Sequence, residues 1–547
     1  MLPKPAPGAS RNDKFRTDTS LNSPHPKTWN YYVALVFIVL PFRSVVYLTP
    51  PALVILVWNQ LGLSSGTAPL PTGLAMLLIG YCAAETLFSL YFLYSMHVLG
   101  RVNRNPAPIT DSFTHRSPPI RSTNQFFDKV FRHIPNVEQF FEEHFFSVPF
   151  DQLTRRDFRN WFAFAFYGKD GKDGNELTEE ERRDVDTMIA KIFRKVGTHP
   201  PTEVVDEPAK PFCRPCMDPL DAKARPLLVY LLTFTLDFIG GIALNLLGFE
   251  VRDVGYGLTY WHRGPVAPAR ETAEPMVFVH GIGSGLVSYI HLIYRLATTH
   301  KNRQLFFLEL PHVSMQLCDH VPTKEETLSA VQAMFAEHNI TTGVHWMGHS
   351  LGSSIVSWVV QDKPELVSHV TLVDPVVLLL WKADIVFNIM YREPSNAVQV
   401  LMWYFVTHEI HIAHMMRRHF HWYESVLFPE DLPRHPETNA VAATVFLSSK
   451  DLILNAPAVY DYLQQGVQFS KFEVSKNKIP AVLWEGITHG EMLLYPSTTT
   501  QVVDNVNVNS GHWKDTIQRT YTPLSKFSKA KTVKTAGDRQ AKVAALS

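Results

Sequence analysis

One short segment of the 547-residue chain has the residue types of an activated nucleophile. Residues 348–352 read Gly-His-Ser-Leu-Gly, with an apolar run at 343–347 before them and small residues suited to a helix after them. A Gly-x-Ser-x-Gly turn between a strand and a helix exposes its serine at the top of a sheet, and its glycines leave room for close backbones. The segment therefore predicts Ser350 as the nucleophile of an acyl-transfer reaction. The alternative is a surface turn that carries a serine by chance.

A nucleophilic serine needs a base, because its hydroxyl group hardly ionises unaided. Enzymes with this turn take an acid and then a histidine from later strand ends along the chain. His489 lies just after the last predicted strand, and we expect it to be the general base. Asp451 follows an earlier strand, and we expect its carboxylate to orient the imidazole and stabilise the imidazolium ion. Asp374, after a strand nearer the serine, is the alternative acid.

The oxyanion that forms in such a reaction needs hydrogen-bond donors that are already in position. The backbone N–H of Leu351, next after the nucleophile, is the first expected donor. Residues 280–285, His-Gly-Ile-Gly-Ser-Gly, follow a strand-like run, and their glycines permit close approach to a reacting carbonyl group. We expect the N–H of Ile282 to complete the oxyanion hole. The loop lacks the spacing of a phosphate-binding turn.

Alternating elements in the second half of the chain must position these residues. Short apolar runs alternate there with amphipathic stretches, which is typical of a mostly parallel sheet with helices on both faces. The helices are predicted at residues 324–337 and 351–360. The strands are predicted at residues 276–279, 304–310, 343–347, 370–373, 441–447 and 481–484. Together these elements predict an α/β domain over residues 250–500.

The chemical segments, taken as a set, resemble the α/β-hydrolase superfamily over about residues 255–500. They are HGIGSG at 280–285, GHSLG at 348–352, VDP at 373–375, SSKD at 448–451 and THG at 488–490. Further stretches resemble membrane-associated α/β-hydrolase proteins of fungal type, at 225–228, 260–263, 391–394 and 418–422. The resemblance implies the α/β-hydrolase fold and a hydrolase, but no substrate, because esterases, lipases, amidases and acyltransferases share the scaffold. A serine at the turn argues against the epoxide and haloalkane branches, which use aspartate there.

The segment 376–439 lies between two predicted strands, where enzymes of this superfamily insert a cap. It is rich in large apolar residues, including Leu378, Trp381, Phe387, Trp403 and Trp422. We expect a helical cap that either packs on the domain or forms an apolar acyl tunnel. Together with the apolar runs described next, the cap favours a lipid ester as the substrate.

Three apolar runs predict an integral membrane protein, which we expect on an intracellular membrane. Residues 29–99 contain two runs and read as a hairpin with cytoplasmic flanks, because Lys and Arg residues flank it and none lies between residues 50 and 72. Within the hairpin, Arg43 and Glu85 are an expected ion pair.

The third run, residues 226–249, leaves the side of the catalytic domain open. If it spans the bilayer, the domain is luminal and Asn339 lies in a usable glycosylation sequon. If it lies in the interface or packs on the domain, the domain is cytosolic, which we favour. Residues 100–225 are expected to be a helical connecting region whose phenylalanines pack on the domain or lie on the bilayer. Residues 1–28 are predicted to be a disordered tail, and residues 501–547 a tail that is basic toward its end.

Composition argues against several other functions. Lys and Arg together number 51, as do Asp and Glu, and this balance argues against nucleic acid as a partner. Four cysteines are too few for a disulfide framework. His408 and His411 stand in HExH rather than HExxH, so we expect no metal ion and no cofactor. Two classes of function stay open. The first is an enzyme, either a serine ester hydrolase or an acyltransferase on the same fold. The second is a non-catalytic membrane scaffold or binding protein. The oligomeric state is not predicted.

Overall fold

The computed structural model describes most of the chain. The described residues are 26–63, 70–101, 116, 120, 122–169, 177–199, 201, 209–266, 273–465, 468–470, 473–474 and 479–506. The predicted tails therefore lie mostly outside the described residues, at 1–25 and 507–547.

Two long apolar helices open the described chain and pack against each other. Helix α1 (Trp29–Gln60) continues through Pro50 and Pro51 and contains a π-helical turn at Leu35–Val39. Helix α2 is Thr72–Gly100. Both helices are long and apolar enough to cross a membrane, as is the later helix of the third apolar run, Leu227–Leu246.

The predicted ion pair between Arg43 and Glu85 is wrong. Both carboxylate oxygens of Glu85 accept from the backbone N–H of Leu227 at 3.0 Å, and the Arg43 guanidinium lies over the ring of Tyr47. The first N–H groups of a helix have no partner within that helix, so an acidic side chain is favourable there. Glu85 therefore caps the helix Leu227–Leu246 and attaches the hairpin to it.

Four amphipathic helices form most of the connecting region. They are α3 (Thr123–Arg132), α4 (Val137–His144), α5 (Arg155–Tyr167) and α6 (Glu179–Val196). A side-chain oxygen from the preceding residue caps the start of each helix. Most of their phenylalanines, such as Phe126, Phe158 and Phe162, are fully buried in one core with residues of the α/β domain and its cap. These phenylalanines therefore pack on the domain and do not face a bilayer.

An eight-stranded sheet follows helix α7 (Leu227–Leu246). Its strands are β1 (Glu250–Gly255), β2 (Leu258–Arg263), β3 (Ala273–Val279), β4 (Arg303–Glu309), β5 (Val344–His349), β6 (Val367–Val373), β7 (Ala443–Ser448) and β10 (Ala481–Trp484). They lie in the order β1-β2-β4-β3-β5-β6-β7-β10. Strands β3 to β7 and β10 run parallel to one another, and β1 and β2 add an antiparallel edge. Strands β8 (Gln468–Ser470) and β9 (Glu473–Val474) form a separate pair. All six predicted strands are present, whereas β1 and β2 were not predicted.

Helices lie between the strands and after the last one, and the two predicted helices, at residues 324–337 and 351–360, are among them. They are α8 (Ile290–Thr299), α9 (Lys324–Glu337), α10 (Gly352–Asp362), α11 (Ala456–Gln464) and α12 (Pro496–Asn505). The predicted domain end at residue 500 is too early, because α12 packs on the sheet with Val502 and Val503 fully buried. The ring of His300 also contacts the Val503 carbonyl oxygen at 3.1 Å.

The segment between β6 and β7 forms a cap of short helices and π-helical turns. They are Asp384–Val386, Phe387–Tyr391, Ala397–Thr407, Ile410–His414, Met415–His419 and Trp422–Ser425. The start of α1 packs on this cap, because the N–H of Thr28 donates to the Ser395 carbonyl oxygen at 2.9 Å and Phe42 contacts Phe405 edge to face. The N-terminal hairpin and the cap are therefore one packed unit.

Candidate active site

Ser350 lies on a strained turn between β5 and α10. Its φ of 51° is in the left-handed region, and its N–H donates to the Val373 carbonyl oxygen at 3.0 Å. A Cβ atom at Gly352 would lie 2.3 Å from the Val279 carbonyl oxygen, and one at Gly348 would lie 2.9 Å from the Ser353 Cα atom. Both positions therefore exclude any larger residue, which is the physical reason for glycine on either side of this turn.

The structure brings Ser350, His489 and Asp451 into one hydrogen-bonded chain. His489 Nε2 lies 2.8 Å from Ser350 Oγ, and His489 Nδ1 lies 2.6 Å from Asp451 Oδ2. The Asp451 side chain is fully buried, and its other oxygen accepts from the N–H groups of Ile453 and Leu454. Asp451 is thus oriented before any substrate binds, and the imidazole is held with one nitrogen toward the hydroxyl group.

Asp374 lies behind this chain of residues and does not take the place of Asp451. Its carboxylate accepts from the N–H and hydroxyl of Ser448, at 2.7 and 2.9 Å, and from the N–H of Gly490 at 3.2 Å. Asp374 therefore joins the end of β7 to the loop that carries His489. Burial raises the pKa of Asp374 to about 6, with the negative charge of Asp451 adding to the rise and His489 opposing it.

The two carboxylates set the proton affinity of the histidine. Burial alone would lower the pKa of His489, but the charge and hydrogen bond of Asp451, with the charge of Asp374, raise it to about 9. A general base must be neutral to accept a proton from Ser350. The raised pKa keeps the imidazole protonated in neutral solution unless a bound substrate changes its surroundings.

Turnover is therefore expected to increase with pH. Because only neutral His489 can act as base, kcat/KM of the free protein should rise about tenfold per pH unit below an apparent pKa of about 9 and level off above it. The measurement is initial ester hydrolysis between pH 6 and 10 in matched ionic strength. A profile that is flat across this range would contradict the raised pKa of His489, and one that falls as pH rises would contradict its assignment as the base.

The predicted oxyanion loop touches the nucleophile. A Cβ atom at Gly281 would lie 2.7 Å from the Ser350 Cβ atom, so only glycine permits this approach. Ile282 follows in the same loop, and Leu351 follows Ser350 at the start of α10. Among the described residues, no hydrogen bond from the N–H of Ile282 or of Leu351 is formed.

Three buried side chains that the sequence did not identify hold this loop in place. The Tyr289 hydroxyl accepts from the N–H of Gly281 at 3.0 Å and donates to His349 Nδ1 at 2.7 Å. His280 Nε2 accepts from the N–H of Leu310, so its Nδ1 carries the proton and donates to the Gly281 carbonyl oxygen at 2.7 Å. Both polar groups of Gly281 are thus fixed from inside the domain. Burial lowers the pKa of His280 to about 4, which keeps it neutral in this role.

The cap histidines form ion pairs and hydrogen bonds of their own. His411 lies between Glu409 and Asp319, at 3.2 and 3.1 Å, and His408 contacts Asp221 at 3.3 Å. In the described part of the chain, Asp374, Asp451 and His489 lie close enough together to hold a metal ion, and they belong to the site already described. His489 hydrogen-bonds to Asp451 through Nδ1 and to Ser350 through Nε2, and this arrangement fits proton transfer.

An apolar crevice lies between the connecting helices and the cap. Aromatic side chains line most of it, among them Phe127, Phe131, Trp161, Trp381 and Trp422. None of Ser350, Asp451 and His489 is among its lining residues. The cap and the connecting region therefore enclose apolar space, but the structure does not place that space beside the nucleophile.

Comparisons with known proteins agree with this fold. Residues 274–392 match the sequence model of a family described as the alpha/beta hydrolase fold. No curated protein sequence matches the chain.

Solved structures similar to part of the chain include three named enzymes. Carboxylesterase CesB from Bacillus subtilis is 12% identical with a TM-score of 0.32, covering 50% of this chain and 98% of its own. A membrane phospholipase A described as a bacterial virulence factor is 15% identical with a TM-score of 0.34, covering 52% of this chain and 94% of its own. Haloalkane dehalogenase DatA from Agrobacterium tumefaciens C58 is 15% identical with a TM-score of 0.31, covering 47% of this chain and 96% of its own.

The parallel sheet, the serine turn after β5 and the match over residues 274–392 agree on the fold of the domain that carries Ser350. It has the α/β-hydrolase fold, with a helical cap after β6 and apolar helices before the sheet.

Proposed function

We propose that the protein is a serine hydrolase that cleaves a carboxylic ester of a lipid through an acyl-enzyme on Ser350. The observation that carries the proposal is the continuous contact from Asp451 through His489 to the Ser350 hydroxyl group, with distances of 2.6 and 2.8 Å. Both distances are within hydrogen-bond reach, which is the geometric requirement for a general base and its orienting acid.

The proposed reaction has two balanced halves. His489 takes the Ser350 proton as Oγ attacks the ester carbonyl carbon, and the resulting oxyanion accepts from the N–H groups of Ile282 and Leu351. Collapse of this intermediate breaks the bond to the alcohol oxygen, which receives the proton from His489. A water molecule then gives its proton to His489 and attacks the acyl carbon, which releases the carboxylic acid and restores the Ser350 hydroxyl.

A lipid ester is favoured by what surrounds the site. Three helices are long and apolar enough to enter a bilayer, and the first of them packs directly on the cap. A protein held in this way meets its substrate within or at the surface of a membrane. Apolar side chains such as Trp381, Phe387 and Trp403 dominate the cap, and burial of an alkyl chain against an apolar surface of this kind is favourable.

The proposal predicts a preference for long acyl chains. Burial of two more methylene groups in the transition state contributes about 1.6 kcal/mol, so kcat/KM should rise roughly tenfold for every two methylene groups until the site is filled. The measurement compares acetyl, butyryl, octanoyl and palmitoyl esters of one alcohol, with the full chain in lipid nanodiscs and Ser350→Ala as the control. Equal rates, or faster cleavage of the acetyl ester, would contradict a lipid substrate.

A further inference from the structure

Both ends of α7 are attached to the same folded domain. Before the helix, the Arg225 guanidinium donates to the backbone carbonyl oxygens of Tyr404 and His408 in the cap. After the helix, Phe249 is buried against Phe307 of β4, with ring centroids 4.9 Å apart. The cap and the sheet are two parts of one hydrolase domain, so the two ends of α7 cannot lie on opposite sides of a membrane while these contacts hold.

The hydrolase domain also packs against α7 along the length of the helix. Small residues on the inner face bring the helix close, because a Cβ atom at Gly240 would lie 3.1 Å from the Val287 Cβ atom. The contacts are, in chain order, Tyr230 Oη to Glu409 Oε1 (2.8 Å), Thr233 Oγ1 to the Met315 carbonyl oxygen (3.2 Å), Gly240 to Val287, and Gly241 to Trp261. The inner face of the helix is therefore covered by protein and not by lipid.

The outer face of α7 is exposed and apolar. The helix has 20 residues, and its only charged residue, Asp237, points inward and hydrogen-bonds with Glu309. The exposed large apolar residues are Leu228, Leu231, Leu232, Phe234, Leu236, Phe238, Ile239, Ile242 and Leu246. Exposed Thr235 and Asn245 each hydrogen-bond to a carbonyl oxygen of the helix itself. A predominantly apolar face of this length is unusual on a soluble surface and is typical of contact with hydrocarbon.

The outer face is continuous with the apolar surface of the hairpin. Glu85 of α2 caps the first turn of α7, and Phe88 of α2 contacts Tyr230 with ring centroids 5.0 Å apart. The hairpin exposes many large apolar residues, such as Leu77 and Leu87. One lipid phase would therefore cover both surfaces, which favours a bilayer over a separate protein partner as the occupant.

We propose that α7 lies along one leaflet of the bilayer and does not cross it, with its outer face buried in the hydrocarbon of that leaflet. A crossing helix would carry the edge of the hydrolase domain into the hydrocarbon core, which is about 30 Å thick. Exposed charged side chains of β1, such as Glu250 and Arg252, lie within six residues of the helix end and would enter or border that core, where charged side chains are unfavourable. The proposal concerns the placement of the domain and does not depend on the catalytic activity.

This placement determines the topology of the chain. If α1 and α2 cross the bilayer as a hairpin and α7 does not cross, the hydrolase domain lies on the same side as the N-terminus. It also places the active site near lipid, because α7 contacts the turn Gly285–Tyr289, which directly follows the oxyanion loop.

The depth of α7 in the bilayer gives the first test. Single cysteines replace Leu228, Phe238 and Leu246 in a Cys318→Ser background, and each is labelled with an environment-sensitive fluorophore in phosphatidylcholine vesicles that contain nitroxide lipids of graded depth. A leaflet helix predicts quenching at a similar shallow depth for all three positions. Exposed Asn339→Cys serves as the unquenched control. Phe238 at the bilayer centre with both ends shallow would indicate a span, and no quenching at all would indicate that a protein covers the face; either result overturns the proposal.

The side of the domain gives a second test that does not require labelled cysteines. Asn339 is exposed and lies in an Asn-Ile-Thr sequon. In sealed microsomes the full chain is expected to carry no glycan at Asn339, and protease is expected to remove tags from both termini without detergent. An accessible N-terminal tag together with a protected C-terminal tag, or together with a glycan that disappears in Asn339→Gln, would place the domain on the other side from the N-terminus and overturn the proposal. The tests are independent of ester hydrolysis, so an inactive protein with a shallow α7 would contradict the proposed function alone.

Discussion

Ester hydrolysis is expected to fall about 10⁶-fold when His489 is replaced by alanine. The Ser350 hydroxyl loses the only side chain within hydrogen-bond distance of its Oγ among the described residues, and the alcohol that leaves loses its proton donor. Members of such a catalytic unit act together, so removal of the base costs about as much as removal of the whole unit. The measurement is kcat for a long-chain ester at a pH on the plateau of the native profile.

A matched control separates this loss from a general effect of losing a histidine. His291 is exposed on α8, and His291→Ala is expected to keep native activity. A second histidine near the site is His349, whose ring centroid lies 5.5 Å from that of His489. If His489→Ala kept a tenth or more of native turnover, another group would have to be the base, and the proposed mechanism would be wrong.

The second large effect is expected from Asp451→Asn, which should lower kcat about 10⁴-fold. An asparagine amide can donate to His489 Nδ1, and the ring proton then moves to Nε2, where it prevents the ring from accepting the Ser350 proton. The geometry of the site changes little, because asparagine has nearly the shape of aspartate. The expected signature is a loss in kcat with the protein still folded, measured by turnover together with thermal unfolding.

Asp374→Asn is the matched comparison for this variant. Asp374 contacts Ser448 and Gly490 and does not hydrogen-bond to the His489 ring. We expect this substitution to keep turnover within about tenfold of native. Because one of the negative charges that raise the pKa of His489 is removed, the midpoint of the pH profile should move to lower pH. A larger loss for Asp374→Asn than for Asp451→Asn would assign the role of the acid to Asp374.

Local rules made much of the candidate site predictable from sequence. The turn around Ser350 admits only glycine at two fixed positions, so its pattern is visible in five consecutive residues. Asp451 and His489 each follow a short apolar strand. The order of serine, acid and histidine along the chain further reduces the number of residues that fit the roles of acid and base. The strands themselves were predictable because those at the centre of the sheet are buried on both faces and read as continuous apolar runs.

Features that depend on contacts between distant segments were not predictable in this way. The roles of Tyr289 and His280 come from single hydrogen bonds to Gly281, which leave no periodic pattern. Strand β1 was missed because it lies at the sheet edge with nearly every residue exposed, so it has no apolar alternation.

The partner of Glu85 illustrates the same limit. A buried charge in an apolar helix predicts that a partner exists, and Arg43 was the nearest opposite charge in the hairpin. The actual partner is the free backbone N–H of Leu227, a group that every residue except proline possesses and that no sequence pattern marks.

The central claim is that Ser350 is an activated nucleophile, and labelling with a fluorophosphonate probe tests it most directly. The full chain in its membrane and the Ser350→Ala variant are treated with the probe in parallel, and labelled protein is measured after separation. The account predicts one labelled band in the native protein, faster labelling at higher pH, and no labelled band in Ser350→Ala. A folded native protein that takes up no probe, or a Ser350→Ala variant that is labelled as strongly as the native chain, would contradict the account.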